Sequence, residues 1–247
     1  MPALTTAQRI RATVGVAVIF GTWFYLVFTR PTDWESVGGS SPALITLGGY
    51  VLGAILLLSA SLPILPARTI AIIPAALVLN IVIGQIVGSV GIPLYLDSVG
   101  TILVAGLAGP ISGLATGTLS SIVWGLFNPA ALPFAAVSAM VGLLSGVMIA
   151  KGMLRNIPLT ITAGVVLGVI SGMLAAPVAA FVYGGTAGVG TGALVSLFRE
   201  MGNSLIGSVT AQSLVSDPLD KALVMIIVHV AIRSLPKKTL ASFHART

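Results

Sequence analysis

Apolar residues run along this chain in long unbroken blocks rather than in alternating or amphipathic patterns. Blocks at about 12–28, 42–62, 69–89, 109–127, 131–150, 157–183 and 219–235 carry almost no charge. A helix needs roughly 17–25 such residues to cross a bilayer. The run 98–108 is too short for that, so it either begins earlier, near Leu94, or lies buried against its neighbours. The stretch 193–215 has helical character but carries Arg199, Glu200 and Asn203 in its middle. It reads as a partly helical external segment, a lid over the rest. The pattern predicts an all-α, polytopic membrane protein with eight spans. The first span is expected to be retained rather than cleaved, because it is long and no small-residue cleavage site precedes Arg30.

Small residues are not scattered within these blocks. After a break at Gly109–Pro110 they recur every four residues, at Gly109, Gly113, Gly117, Ser121 and Gly125. A second stripe, Ser112, Thr116, Ser120, Trp124 and Asn128, runs beside it. Four-residue spacing keeps side chains near one helix face, and small residues let helices approach closely in lipid. The same spacing recurs at Ser138/Gly142/Gly146/Ala150, at Gly164/Gly168/Gly172/Ala176 and at Ala67/Ala71/Ala75. The glycine-rich piece 184–192 lacks the Lys-Ser/Thr of a phosphate loop and reads as a hinge. Ser216-Asp217-Pro218 reads as the start of the last span, which would leave Asp217 and Asp220 as first-turn acids without a functional role.

Composition agrees with the pattern. Hydrophobic residues make up 56% and charged residues 7%, against about 25% charged in soluble domains. With no cysteine and only His229 and His244, there is no thiolate chemistry and no convincing metal set, so no metal and no cofactor are expected. The net charge of +6 does not imply nucleic acid, because the basic residues sit in short loops. Arg9, Arg11, Arg68, Lys151, Arg155, Arg233, Lys237, Lys238 and Arg246 fall on one side of the expected topology. Arg30, Arg199, Lys221 and all six acids fall on the other. The positive-inside rule then puts both termini in the cytoplasm.

Polar groups at membrane depth need partners, because an unpaired amide in hydrocarbon costs several kcal/mol, roughly. Asn80, Gln85, Tyr95, Asp97, Ser120, Trp124, Asn128, Glu200 and Asn203 are the candidate binding residues, near the outer end of the bundle. Interhelical hydrogen bonding by Asn80 and Gln85, capping by Asp97 and solvation of Arg199 and Glu200 are the alternatives. Trp124, Tyr95 and Phe127 would suit a flat ring, and the few charges suit a neutral or singly charged solute. No catalytic pair or triad motif is present, so no enzyme is expected.

The segment from about Ala67 to Pro236 resembles the substrate-binding S component of energy-coupling-factor (ECF) transporters, bacterial importers of vitamins and related micronutrients. The resemblance rests on IPLYLDSVGT (92–101), GPISGLATGTLSSIVWG (109–125), SDPLDK (216–221) and the Ala67/Ala71/Ala75 stripe. It implies a six-helix core over 67–247, with residues 1–66 adding two transmembrane helices, and it places the chain in a bacterial cytoplasmic membrane. It also implies a small-molecule substrate, and docking through Ala67, Ala71 and Ala75 on a transmembrane coupling protein that carries two ATPase subunits. A structural or sensory membrane protein of similar fold, and an intramembrane enzyme, are the alternatives.

Overall fold

The computed structural model describes residues 4–31, 34, 39–185 and 188–243. Asp33, Glu35, His244, Arg246 and two residues of the expected hinge, Thr186 and Ala187, lie outside them. The described residues form α-helices and no strand: α1 (Thr6–Thr29), α2 (Ser41–Ser61), α3 (Ala67–Ser89), α4 (Val99–Ala108), α5 (Pro110–Gly125), α6 (Ala135–Ala150), α7 (Ile157–Val182), α8 (Val189–Glu200), α9 (Leu205–Ser234) and α10 (Lys237–Ser242). Helix starts follow local chemistry. Thr5 and Gln8 form a capping box on α1, and Ser40, Asn156 and Ser204 cap α2, α7 and α9 through their side chains.

Five helical segments are long and apolar enough to cross a membrane: Thr6–Thr29, Ser41–Ile64, Ala67–Ser89, Pro129–Ala150 and Ile157–Val182. The other expected spans are short or charged. α4 has 10 residues and α5 has 16, whereas α9 has 30 residues and holds Asp217, Asp220 and Lys221 in its body. Exposed Phe24, Leu44, Ile55, Val78, Val82, Met173 and Val230 make an outward apolar surface of the kind lipid covers.

The small-residue stripes set the helix spacing. α5 runs antiparallel to α6, with Gly113 against the Gly142 carbonyl and Gly117 against the Ser138 carbonyl. A Cβ at Gly117 would overlap that carbonyl, so Gly117→Ala is expected to cost about 1–3 kcal/mol by forcing α5 from α6. Gly48 on α2 has open space around its α-carbon, so Gly48→Ala is expected to be neutral or slightly stabilising. Thermal unfolding of the two variants in detergent checks both. α1 and α2 are not a loose addition. Ile19, Leu26, Tyr50 and Leu57 share one core with Leu114, Ala135, Ala139 and Val178. Trp23 and Tyr50 donate hydrogen bonds to the carbonyls of Leu174 and Pro133 (3.2 and 3.3 Å).

Two expected boundaries move. The stretch 193–215 is not one segment: α8 ends at Glu200 and α9 begins at Leu205. Ser216-Asp217-Pro218 starts no helix either, because α9 passes through it unbroken. Pro218 removes one backbone donor, but α7 packs directly on this part of α9. Gly164 meets Ala222, Gly168 meets Asp217 and Pro218, and Gly172 meets Ser213 and Asp217. Tertiary packing overrides a local start signal. Residues 236–243 are also more than a tail, since α10 follows Pro236 and Phe243 is buried, its carbonyl accepting from Thr69 (3.1 Å).

α4 is the short run, and it does not begin near Leu94. It starts at Val99 and survives by burial, with all but Leu103 and Gly106 buried. Its first turn is held by Asn80, whose Oδ1 accepts from the Gly100 amide (2.7 Å). Asn80 lies about 13 Å below the end of α3, at roughly 1.5 Å per residue. The chain from 90 to 98 therefore dips back into the bundle before α4 starts. Irregular backbone at such depth is tolerated only where protein or a cavity surrounds it.

Basic segments gather at one end of the bundle. Arg11 donates to the Ser59 carbonyl (3.5 Å), Arg233 donates to the Arg155 carbonyl (2.5 Å), and Thr69 meets Phe243. The start of α1, the α2–α3 link, the α6–α7 link and the C-terminal segment thus share that end. The ends of α3 and α5 and the start of α8 lie at the other.

Candidate functional site

At this second end the helices enclose a cavity of about 400 Å³. α3 supplies Gly84, Gln85, Gly88 and Ser89. The dipping segment supplies Tyr95, Asp97 and Ser98. α5 and its end supply Ser120, Ser121, Trp124 and Asn128, and α6 and the turn before it supply Phe134, Val137, Ser138 and Val141. α9 supplies Asp217 and Lys221, and Gly188 and Val189 stand at the start of α8. The rim carries exposed Gln85, Ser89 and Val189. Gly84 is small by necessity: a Cβ there would lie 2.6 Å from the Trp124 indole and 2.9 Å from the Asp97 Cβ. The indole and the carboxylate therefore sit side by side over α3.

An ionic cluster runs from the cavity wall into the bundle. Lys221 Nζ contacts Asp220 Oδ2 at 2.5 Å and Asp97 Oδ1 at 3.4 Å. Asp220 is fully buried, and its Oδ1 accepts the backbone N–H groups of Tyr95 (2.8 Å) and Leu96 (2.7 Å). Leu96 has φ of 49°, a backbone state that costs a branched residue energy. The carboxylate thus holds the dipping segment at mid-bundle depth and offsets the donors that segment leaves unpaired. Asp217, 5% exposed, lines the cavity, and no hydrogen bond or ion pair joins it to a described residue. The Ser98 hydroxyl is also buried without a partner among the described residues, and Ser98 lines the same cavity.

Six of the candidate residues read from sequence meet at this cavity: Gln85, Tyr95, Asp97, Ser120, Trp124 and Asn128. Three do not. Asn80 sits below it, fully buried, with its amide nitrogen donating to Thr101 and Ser120 (2.8 and 3.2 Å) and its oxygen taken by Gly100 and Thr101. It joins α3, α4 and α5 and has no capacity left for a ligand. Glu200 is exposed and lines a separate surface hollow with Gly184, Val195, Ser196, Arg199 and Leu205. Asn203 is exposed and donates to the Phe198 carbonyl (3.0 Å), closing the end of α8. Phe127 is 79% exposed and lies outside the lining. Ser112 and Thr116 are buried, with Thr116 donating to the Ser112 carbonyl (2.8 Å).

Asp217, Lys221 and Ser98 line the cavity and Asp220 lies against Lys221, and none of the four is among the candidates read from sequence. A signal for them existed: an Asp-x-x-Asp-Lys set inside an apolar stretch is costly in lipid and by default marks function. It was masked by Ser-Asp-Pro, which reads locally as a helix start. Ala67, Ala71 and Ala75 are all exposed on the outer face of α3. His229 is buried on Thr160 (3.0 Å), a packing role. No group of residues that could hold a metal ion is found among the described residues.

Fold and site together define a helical, multi-pass membrane protein with a largely apolar cavity, carrying a few polar groups, between its helices. No protein-family model, no curated protein and no solved structure matches the chain.

Proposed function

We propose that this protein is the membrane-embedded substrate-capture subunit of an ATP-driven, ECF-type importer for a vitamin or related micronutrient. The observation that carries the reading is the cavity, with apolar and aromatic walls, a few convergent polar groups and a volume that suits a small solute. Two further features support it. The cavity lies at the end opposite the basic segments, so the positive-inside rule would turn it outward in a cytoplasmic membrane, with both termini inside. The exposed alanine face of α3 is smooth enough for a partner helix to approach closely. In this reading residues 1–66 add two membrane helices to a six-helix core, and the partners are a transmembrane coupling protein and two ATPase subunits.

Native mass spectrometry of the detergent-purified chain tests the capture role: a small molecule retained at one per chain supports it. Co-purification of ATPase subunits with the tagged chain from its own membrane tests the importer role. A chain that carries no solute and no ATPase would sink both.

α8 acts as the lid in this reading, since Gly188 and Val189 border the cavity and Gly190 packs on the carbonyls of Gly91 and Ile92. Gly188→Pro and Gly190→Pro are expected to slow substrate association, read by stopped-flow quenching of tryptophan fluorescence. An association rate equal to that of the wild type removes the lid role.

A further inference from the structure

The charge in and beneath the cavity does not balance. Three carboxylates, Asp97, Asp217 and Asp220, share one ammonium, Lys221. Asp220 is satisfied by that ammonium and two backbone amides. Asp97 holds only the longer side of the pair, at 3.4 Å, with 30% of its side chain exposed. Asp217 is nineteen-twentieths buried, borders the cavity and has no ion pair or hydrogen bond to a described residue. Its carboxylate packs over Gly172, where a Cβ would lie 3.3 Å from Oδ2. A buried carboxylate without a hydrogen bond or close ion pair is costly, and Ser98, whose buried hydroxyl has no partner among the described residues, lines the same cavity.

Trp124, Tyr95 and Phe134 supply aromatic surface on the walls, and the face of such a ring attracts a cation within about 6 Å. The opposing feature is the start of α8 at the rim. A helix N-terminus carries roughly half a positive charge, and salt and solvent screen it. Val189 there is 66% exposed, so this partial charge is too small and too wet to offset two interior carboxylates.

We infer that the ligand of this cavity is a small organic cation, its positive centre between Asp217 and Asp97 and its apolar body against Trp124 and Phe134. The inference rests on the capture reading above and adds the charge class of the solute. Lys221 offsets only part of the carboxylates' negative charge, because one ammonium is shared between Asp220 at 2.5 Å and Asp97 at 3.4 Å and stands near Asp217 as well. Ser98 then supplies a neutral hydrogen-bonding group on the same cavity wall.

The test is affinity enrichment. The full-length protein in detergent is incubated with yeast extract and washed, and the molecules released on denaturation are identified by mass spectrometry. Wild type is expected to enrich a molecule that carries an ammonium, guanidinium or heteroaromatic cation. Asp217→Asn is expected to lower affinity for it by roughly tenfold to a hundredfold, and Asp217→Glu to recover part of that loss. If the enriched molecule is neutral or anionic, or if Asp217→Asn holds the cation as tightly as wild type, the cation inference fails and the capture reading stands. If nothing is enriched, the capture reading fails and takes the inference with it. The identity of the molecule held by wild type decides the charge class even if Asp217→Asn does not fold.

Discussion

Asp220→Ala will destabilise this protein by about 3–5 kcal/mol, the range for removing one partner of a buried ion pair. The loss has two parts. Lys221, 4% exposed, keeps only the looser contact with Asp97 and becomes a poorly balanced buried charge. The amides of Tyr95 and Leu96 lose their acceptor at a depth where water does not replace it. Because those amides belong to the segment that feeds α4, the damage will extend to the cavity. Asp220→Asn separates the parts. Its amide oxygen can still accept from both backbone groups, so the dipping segment keeps its anchor while the charge is lost. Thermal or denaturant unfolding in detergent is expected to rank wild type above Asp220→Asn, and Asp220→Asn above Asp220→Ala. Equal stability of wild type and Asp220→Ala would mean that the segment 90–98 is held by something else.

If the chain is the capture subunit proposed above, Ala71→Leu and Ala75→Leu are expected to abolish uptake and leave solute binding within about twofold of wild type, as surface changes remote from a site usually do. Both alanines are exposed on α3, on the face turned away from Asn80 and Gly84. Neither lines the cavity. A leucine there adds bulk to a surface that close helix contact requires to be smooth. Uptake of labelled solute into cells or proteoliposomes, paired with binding in detergent, reads the two effects apart. If both variants transport normally, the alanine face faces lipid and docks nothing. If both lose binding as well, α3 transmits to the cavity and the docking interpretation is wrong.

Sequence by itself determined the class of this protein and much of its packing. Charge-poor apolar blocks can be stable only in lipid, and glycine or serine every four residues makes a face another helix can touch. Both are properties of composition and local spacing, which is why the contacts of Gly113 with Gly142 and of Gly117 with Ser138 lie on the stripes seen in the chain. Six cavity residues were legible for the same reason: polar side chains in an apolar neighbourhood have few places to go. Only tertiary structure decided which polar groups share a space. Asn80 is spent on α4 and α5, and Glu200 and Asn203 stand outside. Asp217, Asp220 and Lys221, which imitate a helix start, converge on Asp97 from more than a hundred residues away. A capping signal is local and cheap, worth about 1 kcal/mol, whereas the packing of α7 glycines along α9 and the pairing of buried charges are not. The larger energies come from partners distant in sequence, and no window along the chain contains them.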